Sequence, residues 1–394
     1  AGGWVLLCRA TALPGALKLI FLCALSPRAA LGGGAGWTVA SALRYGVARG
    51  VFTNEAGLGP SAMAHGAADH ACPVRQGFWG MFEVFADTFD APAALLVRGS
   101  GTGAIRWALT ACLKPGDAIL VHTSPIYTTT QVTIDAMGLK PIRADFNDLE
   151  QLKAVCAQHK DEIRGALVQL TRQKPEDRYD YKAVIAAIKA ALPGIPVVTD
   201  DNYAALKVDA IGCQAGADLS TFSCFKILGP EGVGAVIGSK ELIDRIYKMQ
   251  YSGGSQVQGH EAMEALRGLI YAPVALAIQS EVNEELVRRL NAGEIPHVRQ
   301  AFLANAQSKV LLVEFDQEIA EKILDAAPKF GAAPHPVGSE SKYEFAPMIY
   351  RVSGTFRAQD PTIEHRMIRI NPMRSGPDTI IRILRSCMEQ VEEN

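Results

Sequence analysis

Residues 219–238 read LSTFSCFKILGPEGVGAVIG and place a single lysine, Lys226, between an apolar, hydroxyl-rich run and a glycine-rich run. Both runs have the apolar, β-rich composition of buried strands, so we expect a buried hairpin with the lysine inside it. Lysine is rarely buried without a partner or a chemical task. Because desolvation favours the neutral amine, a lysine in such a place is a usable nucleophile.

The rest of residues 90–240 alternates short apolar runs with segments of helical spacing. DAILVH, GALVQL and IPVVTDD are predicted strands, and YKAVIAAIKAAL is a predicted helix that ends at Pro193-Gly194. This alternation favours an α/β fold with a mostly parallel sheet flanked by helices. From about residue 300, the predicted strands KVLLVEF and MIYRVSG and the predicted helix PDTIIRILRSCMEQVEE indicate a smaller α+β domain at the C-terminus.

The composition argues against several classes of protein. The chain has 394 residues, enough for two or three domains, and its net charge of −2 gives no sign of nucleic-acid binding. Its eight cysteines form no C-x-x-C pair and no zinc-like spacing, so no metal site is expected. Scattered thiols of this kind suit a reducing, cytoplasmic location better than a disulfide scaffold.

The first 88 residues differ in composition from the remainder. They contain six Lys/Arg and four Asp/Glu, against 33 and 37 in residues 89–394, and are half as charged per residue. This step marks a predicted boundary near residue 88. The apolar runs 10–27 and 29–43 are interrupted by basic residues, so composition leaves marginal membrane segments and core helices equally open.

Three further features accompany the lysine. Residues 99–103, GSGTG, begin a predicted helix whose free N–H groups suit an anion, although most glycine-rich turns are only turns. Tyr127 follows a predicted strand and can stack on a flat ligand or simply cover the core. Asp200 and Asp201 end an apolar strand, where they can meet a ligand at the sheet edge or cap the next segment.

Together the four features match the needs of pyridoxal 5′-phosphate (PLP). An amine forms a Schiff base, a carboxylate keeps the pyridine nitrogen protonated, an aromatic ring stacks on the pyridine, and a cup of glycines and hydroxyls holds the phosphate. The combination is far more specific than any of its members. The sequence therefore predicts PLP as the cofactor.

Residues from about 89 to 394 resemble the fold-type I PLP-dependent enzymes, the aspartate-aminotransferase-like superfamily. They are most similar to a bacterial group of aminotransferase-like proteins, the YhfS type. The matching stretches are GSGTGAIRWAL, KPGDAILVH, MGLKPIRADFNDL, ALVQLTRQKP, TDDNYAALK, ADLSTFSCFKILGPEGVGAVIG, YSGGSQVQG, NAQSKVLLVEF and YRVSGTFRAQDPTIEHRMIRINPMRSG. The resemblance implies a PLP-dependent transferase-like fold, an amino acid or related amine as the small-molecule substrate, and a homodimer.

The resemblance also implies roles for individual residues. Lys226 matches the Schiff-base lysine, and Asp200 matches the partner of the pyridine nitrogen, with Asp201 as the second choice. Tyr127 matches the stacking aromatic residue. The residues that match the phosphate site are Gly101, Thr102, Gly103 and Ser223.

Two other segments take part in the resemblance, and one departs from it. Arg369 is the candidate for binding the substrate carboxylate, since a guanidinium fork suits a carboxylate. Arg351 and Arg374 compete with it, and any of the three could instead form a surface ion pair.

Tyr251–Gln256 match a segment that often reaches the neighbouring subunit's site. Cys224-Phe225 stand where many relatives have a small hydroxyl residue beside the lysine.

The stretches RYGVARGVFTNEAGLG (44–59) and PVRQGFWGMFEVFADT (73–88) resemble a different family, the sodium:alanine symporters. The resemblance spans about residues 1–88 and a minor share of a whole symporter. It implies a helical, membrane-transporter-like fragment through which the chain would associate with a membrane. Since the segment that precedes Phe89 in the PLP relatives is replaced, we expect a fused chain, and an inactive fusion is one alternative.

The sequence thus predicts three parts: a symporter-like fragment (1–88), a large PLP-binding domain (89–299) and a small C-terminal domain (300–394). The first expectation for function is an aminotransferase in which Lys226 moves the Cα proton as base and acid. A PLP-dependent lyase of amino-acid or sulfur metabolism is the second, because DDNYA resembles enzymes of sulfur amino-acid metabolism. Amino-acid transport by a symporter fragment is the alternative of another class.

Overall fold

The computed structural model describes residues 73–171, 174, 176–250, 255–305, 308–333 and 345–393. The helices in these ranges are α1 (Pro73–Thr88), α2 (Ser100–Cys112), α3 (Thr128–Ala136), α4 (Leu149–Gln158), α5 (Tyr181–Ala191), α6 (Lys240–Met249), α7 (Gly259–Asn291), α8 (Ala320–Ala326), α9 (Gly354–Gln359), α10 (Ile363–Arg366) and α11 (Pro377–Glu392). The strands are β1 (Ala93–Arg98), β2 (Ala118–His122), β3 (Lys140–Ala144), β4 (Ile163–Gln169), β5 (Val197–Asp200), β6 (Leu219–Ser223), β7 (Val233–Gly238), β8 (Val298–Asn305), β9 (Ser308–Phe315), β10 (Met348–Arg351) and β11 (Met367–Asn371). Short 3₁₀ turns occupy Cys213–Ala215, Cys224–Ile227 and Ala327–Phe330.

The first seven strands form one mixed sheet in the order β1-β7-β6-β5-β4-β2-β3. β7 runs antiparallel to β1 and β6, and the other neighbouring strands are parallel. The α/β architecture predicted from the alternation of strands and helices is confirmed. The hairpin around Lys226 is confirmed as well, since β6 and β7 pair from Leu219 with Gly238 to Ser223 with Gly234.

Helices cover both faces of this sheet. Successive strand residues point to opposite faces, so Leu167 of β4 joins a core with α2, α6 and α7, whereas Val168 joins a core with α4 and α5. β4, β5 and β6 are buried along nearly their whole length. Burial on both faces explains why these strands are continuous apolar runs in the sequence rather than alternating ones.

The last four strands form an antiparallel sheet in the order β10-β11-β9-β8. Its core contains side chains from α8 and α11, and also Leu286 and Leu290 from the C-terminal part of α7. The sequence did not indicate β8, because VRQAFLAN mixes charged, amide and apolar residues without a clean alternation. The predicted domain limit at residue 299 falls inside β8, and the limits at 88 and 299 stay predictions.

The predicted symporter-like segment is described only over its last part. Residues 73–88 are helical as expected, and Phe82 and Phe85 of α1 are buried in the first core beside β1. The fragment over residues 1–72, with its predicted transporter-like character, lies outside the described residues. Within the described ranges no helix has both the length and the apolar composition to cross a membrane.

Local polar chemistry fixes where helices begin. Asp148 caps α4, and its carboxylate accepts hydrogen bonds from the N–H groups of Glu150 and Gln151, each 3.0 Å long. These bonds satisfy donors that the start of a helix leaves unpaired. Ser239 holds the same place before α6, but among the described atoms its side chain makes no cap hydrogen bond.

Replacement of Asp148 with alanine should lower the free energy of unfolding by about 1 kcal/mol, because two N–H groups lose their acceptor. Ser239→Ala is the matched control and should change that free energy by less than about 0.5 kcal/mol. Urea unfolding of both variants measures the two values. Equal losses would show that the Asp148 cap does not contribute specifically.

Candidate active site

A cavity of about 290 Å³ lies at the carboxyl ends of β4, β5 and β6, and the second sheet contributes to its wall through β9, α9 and β11. This edge of an α/β sheet is where ligands bind. The lining residues are Ser100, Thr102, Ile105, Tyr127, Thr129, Gln169, Thr171, Asp200, Asn202, Tyr203, Ser223, Phe225, Lys226, Leu312, Ser353, Gly354, Thr355, Phe356 and Arg369. The wall therefore combines residues more than 250 positions apart in the sequence.

Lys226 follows β6 in the 3₁₀ turn Cys224–Ile227 and is only 7% exposed. Its Nζ lies 4.0 Å from the centroid of the Tyr203 ring and 4.5 Å from the centroid of the Phe225 ring. The burial predicted for this lysine is thus confirmed. Two aromatic faces and the turn confine the amine to the cavity wall.

The two acids at the end of β5 occupy opposite environments, as the alternation of strand side chains requires. Asp200 lines the cavity, and its Oδ1 accepts hydrogen bonds from Asn202 N (3.1 Å) and Asn202 Nδ2 (2.6 Å). Asp201 is fully buried and is not among the described residues that line the cavity. Its carboxylate accepts hydrogen bonds from Thr199 Oγ1 (2.5 Å) and Gly212 N (2.8 Å).

Burial acts on both carboxyl groups, but their neighbours differ. Burial raises the pKa of Asp200 above its usual value, while hydrogen bonds from Asn202 and the charge of Lys226 act in the opposite direction. Burial raises the pKa of Asp201 to about 6, against the hydrogen bonds from Thr199 and Gly212. Asp200 therefore lines the same cavity as Lys226, whereas Asp201 is buried and hydrogen-bonded inside the protein.

The start of α2 forms a polar cup beside these groups. The Gly101 N–H donates to Ser223 Oγ at 2.8 Å, and the Ser223 N–H donates to Asn202 Oδ1, also at 2.8 Å. Thr102 lines the cavity and donates its hydroxyl to Thr129 Oγ1 at 2.9 Å. Gly101 and Gly103 are buried within the same turn and are not among the described lining residues.

Tyr127 lies immediately before α3 and also faces the cavity. It is 48% exposed, so one part of the ring remains accessible to solvent. The ring is therefore not confined to the core, and its predicted stacking on a flat ligand stays a prediction. A half-exposed aromatic ring at the cavity wall is free to contact a flat ligand.

Of the three arginines considered from the sequence, the structure places Arg369 at the cavity. Its guanidinium lies 4.3 Å from the centroid of the Tyr350 ring, and its Nε donates to Arg351 O at 3.1 Å. Arg351 and Arg374 are not among the described lining residues, and the Arg374 guanidinium instead lies 4.7 Å from the Phe345 ring. Arg369 is therefore the one of these three arginines that lies at the cavity wall among the described residues.

The segment Tyr251–Gln256 is described only in part. Residues 251–254 lie outside the described residues. Gln256 forms a bridge with Val97, and its carbonyl accepts a hydrogen bond from Arg98 Nε at 2.8 Å. The predicted contact of this segment with a neighbouring subunit stays a prediction.

Several cavity residues were not predicted. Asn202 and Tyr203 could have been found, because they follow Asp200 directly and a side chain that close to a sheet-edge acid must lie near it. Gln169 ends β4 and could have been found by the same rule for strand ends. The residues from β9 and from the start of α9 carried no local signal: Leu312, Ser353, Thr355 and Phe356.

Comparison with protein-family models identifies three regions of this chain. Residues 82–308 match the family described as Cys/Met metabolism PLP-dependent enzyme. Residues 284–384 match the YhfS-like C-terminal domain. Residues 2–97 match the sodium:alanine symporter family.

Individual proteins agree with these regions. The uncharacterized protein YhfS of Escherichia coli is 55% identical over 309 residues, which cover 78% of this chain and 84% of YhfS. The crystal structure of that PLP-dependent protein superposes with a TM-score of 0.76, covering 79% of this chain and 86% of the crystallised one. L-methionine gamma-lyase of Pseudomonas putida is 28% identical over 204 residues, 48% of each chain.

The N-terminal part is similar to a transporter. The uncharacterized transporter YflA of Bacillus subtilis is 39% identical over 103 residues, which cover 26% of this chain and 22% of YflA. This likeness therefore concerns a small part of the transporter, and the symporter-like resemblance found in the sequence is confirmed to that extent.

By contrast, the PLP-enzyme model matches more than half of this chain, and YhfS is matched over most of its length. The chain belongs to the family of Cys/Met metabolism PLP-dependent enzymes.

Proposed function

We propose that this chain is a PLP-dependent enzyme that cleaves or replaces the side chain of an amino acid, with Lys226 as the residue that binds the cofactor covalently. The observation that carries the proposal is that the Lys226 amine, the Asp200 carboxylate and the Arg369 guanidinium line one cavity. These groups come from β5, β11 and the turn after β6. The identity of the cofactor, PLP, follows from the family to which the chain belongs.

The residues around the cavity fit PLP. A Cβ added at Gly101 would lie 2.5 Å from Asn202 Oδ1 and 2.6 Å from Ser223 Oγ, so a side chain there would fill the cup at the start of α2. The N-terminus of a helix such as α2 offers unpaired N–H groups and the positive end of the helix dipole to a phosphate. The Ser223 hydroxyl would add a donor, and Thr102 lines the same cavity. Tyr127 would contact the ring face of the cofactor.

Asp200 would hold the cofactor's ring nitrogen in its protonated form. A buried carboxylate favours a positive partner strongly, because few other groups compensate its charge at low dielectric. The two hydrogen bonds from Asn202 fix the orientation of the Asp200 carboxylate in the cavity wall. When bound, PLP supplies an electron sink that stabilises negative charge at the substrate's Cα.

Lys226 and Arg369 would act on the substrate. Once its amine is free, Lys226 can take the Cα proton and return it, because burial and its aromatic neighbours keep the amine at one place in the cavity. Arg369 can form a bidentate pair with the substrate carboxylate. The Tyr350 ring and the Arg351 carbonyl orient the guanidinium for that purpose.

The reaction class is inferred from the family. The family is described by cysteine and methionine metabolism, and one relative is named for cleavage of L-methionine. This supports elimination or replacement at the side chain ahead of aminotransfer, which was the first expectation from the sequence. A homodimer is expected from the resemblance and forms part of the same proposal.

Asp200→Asn should bind PLP measurably but lower turnover by about 100-fold or more, because a neutral amide cannot stabilise the protonated ring nitrogen. Asp201→Asn is the matched control and should change turnover by less than about threefold. Steady-state kinetics with saturating PLP measures both. If Asp201→Asn loses turnover and Asp200→Asn keeps it, the roles of the two acids are reversed.

The Asp201 carboxyl group should also make the stability of the folded protein depend on pH. Because the pKa of Asp201 in the folded protein is about 6, the folded state holds a proton that the unfolded state releases above about pH 4. Its contribution to stability is full below that pH and is lost as the pH rises through 6, by about 3 kcal/mol in total. Asp201→Asn should therefore lose less stability than the unaltered protein between pH 4.5 and 7 in urea unfolding. An identical pH dependence in both proteins would contradict the placement of Asp201.

The reaction class is tested with one amino acid and PLP, without any keto-acid acceptor. L-Methionine should yield a keto acid, ammonia and a thiol in equal amounts, since elimination needs only a leaving group and water. L-Alanine, which has no leaving group, is the control and should yield no ammonia. A keto acid that forms from either substrate without ammonia would indicate aminotransfer and would contradict the proposed reaction.

A further inference from the structure

The turn that presents Lys226 is held in an unusual backbone conformation. Leu228, two residues after the lysine, has φ of +62°, which L-residues with a branched side chain rarely adopt. The Gly229 N–H closes the turn with a hydrogen bond to Cys224 O at 2.8 Å. Such a conformation persists only where the surrounding structure enforces it.

Helix α7 packs directly against this turn. A Cβ added at Gly268 would lie 2.5 Å from Gly229 N and 2.7 Å from Leu228 C, distances that no side chain can occupy. Gly268 is buried, and the helix approaches the turn along a face that includes Ala265 and Ala272. Glycine inside a helix costs up to about 1 kcal/mol relative to alanine. The close approach of the two backbones gives a reason for glycine at this position.

The same helix reaches the second sheet. Leu286 and Leu290 lie in the second core, and the Asn291 side chain makes two hydrogen bonds of 2.8 Å with the backbone of Ala301 in β8. β8 pairs with β9, and β9 pairs with β11, the strand of Arg369. One continuous helix therefore contacts the turn of the lysine and the sheet that bears the arginine.

We propose that Gly268 is a positioning residue for Lys226: its missing side chain lets α7 press against Leu228-Gly229 and hold the amine in the cavity. The proposal rests on the proposed role of Lys226 in binding PLP. It predicts that a single added methyl group on α7 displaces the amine without touching the cofactor site itself.

The test compares Gly268→Ala with Gly259→Ala, a glycine of the same helix whose added Cβ would meet no atom within 4 Å. Two properties are measured on folded protein: the dissociation constant of PLP, and the labelling rate of Lys226 by acetic anhydride in the PLP-free protein, mapped by peptide mass. In Gly268→Ala, PLP should bind about tenfold more weakly or worse, and Lys226 labelling should change by at least about threefold. Gly259→Ala should match the unaltered protein within about twofold on both.

Each outcome decides the proposal. If Gly268→Ala lowers only the urea midpoint and leaves PLP binding and Lys226 labelling unchanged, the residue has a structural role alone and the proposal is wrong. If Gly268→Ala does not fold, the measurements are repeated in trimethylamine N-oxide, which favours the compact state. Failure to fold there as well, while Gly259→Ala folds, assigns Gly268 to folding and overturns the positioning role. Absence of PLP attachment to Lys226 in the unaltered protein would instead contradict the proposed function.

Discussion

The burial of one amine is the constraint around which this structure is arranged. Lys226 is placed almost out of solvent at the end of β6, between the rings of Tyr203 and Phe225. A buried amine is costly unless it has a partner or a reaction to perform. Two groups that a PLP enzyme needs lie near this amine. One is the acid Asp200 on the neighbouring strand β5, and the other is the start of helix α2. Close contact between α7 and the turn keeps the lysine in this place.

Asp200 is the last residue of β5 and Asp201 follows it directly, and their side chains lie in different surroundings. Asp200 faces the cavity, whereas Asp201 points into the protein and is bound by Thr199 and Gly212. The sequence could rank these acids only by their order after the strand. The structure separates them by their surroundings: the Asp201 carboxylate accepts hydrogen bonds from Thr199 Oγ1, Gly212 N and Thr221 N, whereas Asp200 lines the cavity. The proposed reaction depends on this separation, since only one acid can face the cofactor ring.

Much of the first sheet could be predicted from the sequence because its information is local. Apolar runs such as VVTD and LSTFS mark buried strands, and their ends mark the ligand edge. The second sheet could not be placed in the same way, since β8 lacks alternation and Leu312 of β9 reaches the cavity through long-range antiparallel pairing. Which of the arginines lies at the cavity could not be predicted from local pattern either, because Arg369 reaches it through the pairing of β11 with β9. Tyr203 lies three residues after Asp200 and its ring contacts the lysine, so its place at the cavity follows from its closeness in sequence to the sheet edge.

The most direct measurement is to add PLP to the purified chain, reduce with borohydride and locate the pyridoxyl group by peptide mass. We expect a single modified peptide from residues 219–238, with the pyridoxyl group on Lys226, and complete loss of this peptide's modification in Lys226→Ala. Before reduction, the absorbance spectrum of PLP should change when the unaltered protein is added and should not change with Lys226→Ala. A pyridoxyl group on another lysine, or equal incorporation in Lys226→Ala, would contradict the assignment on which the proposed function rests.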